Sequence, residues 1–261
     1  MNEYLYHYTS IETLALILKN RTIRFNNLLN VDDPDEAETS DLGKAGKYCL
    51  VSCWTDNKED VIPMWNMYTS DMRGVRIKMR KNPFKQYTYK KGELHFTKTV
   101  KSYIDYYSEY ACDFSIAPSC PILEKIEYTE DETLLKPEVI FKKEGKTGVF
   151  LGDLGRCKRK YWEFQQEYRY IIRTAAWGTK EWESVQTPED NIKLYNRILD
   201  RNNNCYCNEI FLVLEEDAFE DMEILLAPKT SEQEKIIVEA LLDKFCPNIN
   251  VKLEKSKIRV K

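Results

Sequence analysis

Histidine is nearly absent: 261 residues contain two, and one of them, His7, stands in the opening stretch LYHYTSIETLALILKN. Cysteine is not scarce, at eight residues, but no Cys-x-x-Cys occurs and Cys205-Tyr206-Cys207 is the one tight pair. That excludes the common zinc frameworks and leaves no metal site to expect; reduced structural thiols are the expectation. No apolar run approaches the roughly 20 residues of a spanning helix. No charged-then-apolar leader precedes the first tyrosines, so a cytoplasmic protein without membrane contact is expected. Repeats and low-complexity tracts are missing as well. Neither sign of charge dominates. The net charge of −4 argues against a chain that binds nucleic acid over its whole surface, while leaving room for a local basic patch.

What is present suits a folded chain. Hydrophobic residues make up 43% and charged residues 31%, enough for a sizeable core. Tyr4, Tyr6 and Tyr8 alternate with Leu5 and His7, as a strand over 3–8 requires. Thr9-Ser10-Ile11-Glu12 has the spacing of a capping box. Ile11, Leu14, Ala15 and Leu18 then recur at helical spacing up to Asn20, and a short strand follows over 22–25. His7 therefore sits at the carboxyl end of a strand, beside the positive end of a helix, a place suited to phosphates or ribose hydroxyls. LLNVDDPDEAETSD is acidic and turn-like; a hard-cation site is the alternative there, and a solvated loop the expectation.

Further on, 48–54 reads as a buried strand, VIPMWNMY as a short helix and GVRIKMR as a strand. A hairpin is expected over 84–100, turning at Lys91-Gly92, then an aromatic-rich helix over 101–112. Residues 118–149 lack periodicity and read as loop and insertion. A helix over about 156–165 leads into the strand EYRYIIR. The last third reads as a strand over 210–214, a short acidic helix, a strand over 223–227, a helix over 231–245 and a strand over 250–253. The expectation is one α+β domain spanning 1–261: a core over about 1–177 and a strand-helix-strand extension over about 205–261 packed on it.

Three distant stretches carry residues fit for chemistry: His7-Tyr8-Thr9; Ser52-Cys53-Trp54-Thr55 with Met64-Trp65-Asn66-Met67-Tyr68; and Trp162-Glu163-Phe164-Gln165-Gln166-Glu167-Tyr168-Arg169. Residues alone leave each of them two readings. His7 is either a packed core imidazole or a ligand contact; Glu167 is either half of an exposed ion pair with Arg169 or Arg173, or a working carboxylate. Trp65, Tyr68 and Tyr8 are either core rings or stacking faces.

Here the sequence resembles a widespread prokaryotic family of formerly unknown function. Its members open with an aromatic-His-Tyr-Thr strand, carry Met-Trp-x-x-Tyr followed by Gly-Val, and close with Trp-x-(Tyr/Phe)-(Glu/Gln)-x-Glu-(Tyr/Trp)-Arg. That family is similar in turn to the ADP-ribosyltransferase superfamily, which includes diphtheria-toxin-like enzymes and the nucleic-acid-modifying toxins DarT and CmdT. The resemblance covers roughly the first two-thirds of the chain. It implies a split mixed/antiparallel β core with flanking helices and NAD as cofactor. By this resemblance Glu167 is the catalytic carboxylate, stabilising positive charge on the ribose, and Gln165 positions the acceptor. His7 would hold a ribose hydroxyl, Tyr68 or Trp65 would stack on nicotinamide with Tyr8 in reserve, and Thr9 would touch the cofactor or merely cap the helix. Ser52 matches only loosely the Ser-Thr-Ser strand of an arginine-first subclass, and this chain is histidine-first. Arg24 would neutralise the pyrophosphate or is a plain surface arginine.

For the acceptor, RIKMRKNPFKQYTYKK carries Arg76, Lys78, Arg80, Lys81, Lys85, Lys90 and Lys91 interleaved with Phe84, Tyr87 and Tyr89. Such a mixture tracks a phosphate backbone and stacks on unpaired bases; Arg156, Lys158, Arg159 and Lys160 form a second cluster. Solvated faces are the plain alternative. The expectation is an NAD-dependent ADP-ribosyltransferase, a toxin or phage-defence effector, acting on single-stranded nucleic acid with RNA ahead of DNA. An antitoxin or other neutralising protein partner follows from that role. The alternatives are a protein acceptor, an NAD hydrolase, or a catalytically silent nucleotide- or RNA-binding module.

Overall fold

Thr9 ends the first strand by pairing with Val75, which leaves Ser10 to cap the helix behind it. β1 (Tyr4–Thr9) is thus followed by α1 (Ile11–Asn20), with Ser10 Oγ accepting from the Thr13 amide at 3.2 Å. The expected box beginning at Thr9 is corrected by one residue, because Thr9 is spent on the sheet ladder. Arg21, at φ 52°, closes the helix in the left-handed region. These elements belong to a computed structural model that describes residues 3–108, 113–204 and 206–260.

Among the described residues nine strands form one mixed sheet, supporting an α+β class with both parallel and antiparallel pairs. In chain order they are β1, β2 (Thr22–Asn27), β3 (Cys49–Thr55), β4 (Val75–Arg80), β7 (Ile122–Lys125), β12 (Glu167–Arg173), β13 (Glu209–Val213), β14 (Glu223–Leu226) and β15 (Lys252–Lys255). The main path runs β13-β2-β3-β1-β4-β14-β15, while β12 pairs with β3 and β7. β14 and β15 run parallel, joined by α6 (Glu232–Phe245), and every other pair in this sheet is antiparallel. The late strands are part of the sheet, β13 beside β2 and β14 beside β4.

One irregularity positions the site. β3 pairs with β12 along its whole length, from Cys49↔Arg173 to Thr55↔Glu167. Its other edge is divided: Leu50 and Val51 meet Asn27 and Asn26 of β2, and only Thr55 meets Tyr6 of β1. Residues 52–54 have no strand on that side, and the sheet opens there. α2 (Ile62–Tyr68) lies beside the gap, with Tyr8, Met64, Trp65 and Met72 packed together and Ile258 and Val260 leaning on them. Leu5, Leu14, Phe25, Ile77, Ile172 and Ile224 build the core on one face; Leu28, Tyr48, Val51, Ile171 and Ile198 build the core on the other.

Several expectations are corrected. Residues 101–108 are not helical: β6 (Val100–Ser102) pairs with β5 (Tyr87–Tyr89) as the far end of the expected hairpin. Beyond it, Ser102 Oγ and Asp105 Oδ1 accept the amides of Ile104 and Tyr107, local bonds that compete with a helix; residues 109–112 lie outside the described residues. The stretch 118–149 is no loop. It supplies β7, β8 (Glu127–Thr129), the single turn α3 (Glu132–Leu135), and the hairpin β9 (Ile140–Lys143) with β10 (Lys146–Val149). The helix expected over 156–165 is β11 (Cys157–Arg159), parallel to β8, followed by a 3-10 helix over Lys160–Gln165. The acidic residues after β13 form turns. Two helices had no forecast, α4 (Thr179–Glu183) and α5 (Pro188–Leu199), the latter capped by Thr187.

Candidate functional site

At the gap between β1 and β3, the His7 Nδ1 lies 2.8 Å from the Cys53 carbonyl oxygen. Only a protonated Nδ1 can bond a carbonyl, so this contact fixes the tautomer and leaves Nε2 as an acceptor. Burial pushes the imidazole pKa below its ordinary 6.5, against the Cys53 bond that favours the charged form. At neutral pH the ring is therefore uncharged. It sits 5.0 Å from the Trp54 ring, tilted, so packing and ligand contact are compatible.

Across the gap, Gln166 adopts φ 44°, a left-handed turn that costs a non-glycine residue energy and is held by its neighbours. It lets Gln165 and Glu167, on either side, both point inward; they are 2% and 3% exposed. Glu167 Oε1 takes Arg169 Nε at 2.7 Å, and Oε2 takes Lys158 Nζ at 3.1 Å. Lys158 also reaches Glu36 Oε1 at 3.2 Å and Gln165 Oε1 at 2.7 Å, while Arg169 Nη1 binds Glu36. Two buried acids and two buried bases thus neutralise one another, which such charges require. Burial alone would raise the Glu167 pKa, but the fields of Arg169 and Lys158 outweigh it and hold the carboxyl below the usual range. For Glu36 burial wins and the shift is upward. Glu167 also accepts from the Cys53 thiol, which favours its charged form.

Gln165 passes the order outward. Its Nε2 donates to the Tyr68 hydroxyl at 2.8 Å, and that hydroxyl donates to Asp32 at 3.1 Å. Burial raises the Tyr68 pKa, helped by the carboxylates of Glu167 and Asp32, so the phenol stays protonated. The Tyr128 hydroxyl accepts the Glu167 amide at 2.8 Å.

Together these groups line one cleft. Its walls include Tyr6, His7, Tyr8, Cys53, Met64, Tyr68, Gln165 and Glu167, and it encloses ≈ 340 Å³ with the solvent at its mouth included. Five expected residues therefore meet: His7, Tyr8, Tyr68, Gln165 and Glu167. The exposed ion pair considered for Glu167 is corrected to a buried one, and it borders the cavity.

Others do not arrive. Trp65 is fully buried beneath the wall, edge-on to Tyr8 at 4.7 Å with Nε1 donating to Asp60, so it offers no stacking face. Thr9 is buried at the end of β1. Ser52 is buried behind Trp54, accepting from its Nε1 at 3.0 Å, and does not line the cleft. Arg24 lies on β2 in an ion pair with Glu209 at 2.6 Å, away from the cleft. Lys158 is 2% exposed and leaves the surface cluster for the floor of the site. Arg159 is engaged by Asp35 and Glu132, and Arg80 by Asp217. Tyr89 is buried, its hydroxyl donating to the Ile104 carbonyl. Lys85 stays exposed over the Tyr87 ring at 5.2 Å, and Lys81 lies over Tyr168 at 5.0 Å.

The reading of LLNVDDPDEAETSD as wholly solvated is corrected: Asp33 and Glu36 are buried. The signal was indirect, since Lys158 and Arg169 on inward positions demand anions from elsewhere. Among the described residues no group of His, Cys, Asp and Glu could hold a metal ion, and no helix is long and apolar enough to cross a membrane. Compared with family models, curated proteins and solved structures, the chain matches none.

Proposed function

We propose that this chain is an NAD-dependent ADP-ribosyltransferase with the split-sheet architecture of that superfamily. One observation carries the reading: His7 on the first strand and Glu167 on a late one border the same cleft, where the sheet parts. The donor set fits a nicotinamide riboside end. A neutral imidazole offers Nε2 to a ribose hydroxyl, Tyr68 offers a ring, and each Glu167 oxygen keeps lone pairs beyond its ion pairs. NAD supplies, when bound, an ADP-ribosyl group on a leaving nicotinamide. The work of the chain is to hold negative charge where positive charge develops on the ribose, a contribution of about 10²–10³ in rate for one such group. Gln165, fixed at both ends by Lys158 and Tyr68, sets the acceptor position.

Single-stranded RNA is the proposed acceptor, ahead of DNA, in a toxin or phage-defence role in the cytoplasm with a neutralising protein partner. The support is narrower than the basic clusters implied: exposed Lys85 over Tyr87, and half-buried Lys81 with exposed Lys125 over Tyr168. A second reading, a silent nucleotide-binding module, is favoured by the engagement of both Glu167 oxygens by cations. Labelled NAD with total RNA, DNA and lysate separates these. Label on RNA that disappears in Glu167→Gln and His7→Ala sustains the proposal; label on protein alone reassigns the acceptor. Nicotinamide release without a labelled acceptor indicates a hydrolase, and NAD binding without release indicates the module.

A further inference from the structure

Arg76 is 9% exposed on β4, yet among the described residues no carboxylate pairs with it. Its Nη1 donates to the Lys58 carbonyl at 2.9 Å, and its guanidinium lies 4.6 Å from the centre of the Tyr6 ring and 5.8 Å from that of Tyr8. Asp60, near Lys58 in sequence, accepts Trp65 Nε1 and the Ser256 hydroxyl on one oxygen, Oδ2. A buried cation without a counter-ion is costly unless something supplies one.

The surroundings say where that partner would lie. Tyr6 borders the main cleft on one side and, on the other, a groove lined by Arg76, Lys78, Glu223, Lys252 and Glu254. Lys78 is bound to Glu223 at 2.5 Å and Lys252 to Glu254 at 3.1 Å. The two acids are therefore spent on the two lysines, and the charge left over is that of Arg76. A guanidinium has five donors in a planar fork; the Lys58 carbonyl takes one of them and the Tyr8 hydroxyl another.

We infer that Arg76 anchors an oxyanion subsite, which takes a phosphate or diphosphate group of a ligand that extends across Tyr6 from the cleft. The inference rests on the nucleotide reading of that cleft, and it replaces Arg24, which is paired elsewhere. Two sources share this chemistry: the diphosphate of a dinucleotide, or the backbone of a nucleic-acid acceptor.

The test is binding of inorganic diphosphate, ADP-ribose and a single-stranded RNA oligonucleotide to the full chain, by calorimetry at low salt. Arg76→Gln weakens diphosphate binding by about tenfold or more, the range of hydrogen bonds to a charged group, and Arg76→Lys recovers part of it because the charge stays but the fork is lost. A parallel loss for ADP-ribose with RNA unchanged assigns the subsite to the dinucleotide; the reverse assigns it to the backbone. Diphosphate that fails to bind the wild type, or binds Arg76→Gln equally well, overturns the inference. Should Arg76→Gln fail to fold, a wild-type affinity in Arg76→Lys does the same. Diphosphate and ADP-ribose binding through Arg76, without nicotinamide release from NAD, would leave the subsite standing and remove the transferase.

Discussion

Gln165 Nε2 donates to the Tyr68 hydroxyl at 2.8 Å, so an amide closing the 3-10 helix and a phenol closing α2, 97 residues apart in sequence, set each other's orientation. Lys158 holds the other end of the amide and Asp32 the far side of the phenol. This chain of four groups fixes which way Gln165 faces the cleft. Tyr68→Phe removes the link and keeps the ring. Nicotinamide release should fall and the thermal midpoint should drop with it, since an orphaned buried donor costs about 1–3 kcal/mol, while ligand stacking changes little. Steady-state kinetics and a melting curve measure both.

Glu167→Gln keeps the shape and removes the charge. Turnover should drop by about 10²–10³ if the carboxylate stabilises the ribose cation. Stability should fall toward the lower end of the roughly 3–5 kcal/mol expected for breaking a buried ion pair, since Glu36 still faces Arg169 and Lys158. A variant that loses stability but keeps its turnover would reduce Glu167 to a structural acid.

Lys158 and Arg159 are neighbours with opposite fates. Lys158→Met leaves Glu167, Glu36 and Gln165 without their shared donor and should cost about 3–5 kcal/mol. Arg159→Ala breaks surface pairs with Asp35 and Glu132 and should hardly move the denaturation midpoint. Urea titration of the two variants compares them; equal losses would contradict the buried network.

The pH dependence follows from Glu167. Its folded pKa lies below the ordinary 4.5, so the unfolded chain binds its proton first. The stability it contributes is complete above that ordinary value and is lost as pH falls through the lower folded one. The gap between wild type and Glu167→Gln should therefore be constant from pH 7 to about 5, then narrow in acid. A gap that widens in acid would reverse the assigned sign.

His7 gives a second pH signature. Because its folded pKa is below 6.5, the acceptor Nε2 survives at neutral pH, and NAD affinity should stay flat from pH 8 down to about 6.5 before weakening. His7→Asn, which retains a donor for Cys53 but changes the acceptor, should weaken binding at every pH. Calorimetric titrations across that range provide the comparison.

Patterns carried by local periodicity were legible in the sequence. The tyrosines around His7, the apolar stripe of α1 and the run EYRYIIR each specify an element within a few residues. The convergence of His7, Tyr68, Gln165 and Glu167 needed a resemblance to suggest it, since pairing across the sheet has no local signature. The misplaced residues share a cause. Lys158 sits in a basic run and Glu36 in an acidic turn, and each looks solvated until its partner is known; their burial is decided by one another. Residues 101–108 looked helical by aromatic spacing, but Ser102 and Asp105 prefer their own short-range bonds.

The His7 imidazole does more than line the cleft. Where β1 and β3 part, its bond to Cys53 is the stitch that a backbone amide would otherwise make. A molecule drawing on Nε2 would pull on that stitch, so occupancy of the cleft should be legible in the backbone itself. Amides over 52–55 would exchange with deuterated solvent more slowly when the cleft is filled, giving a reporter of binding that needs no turnover.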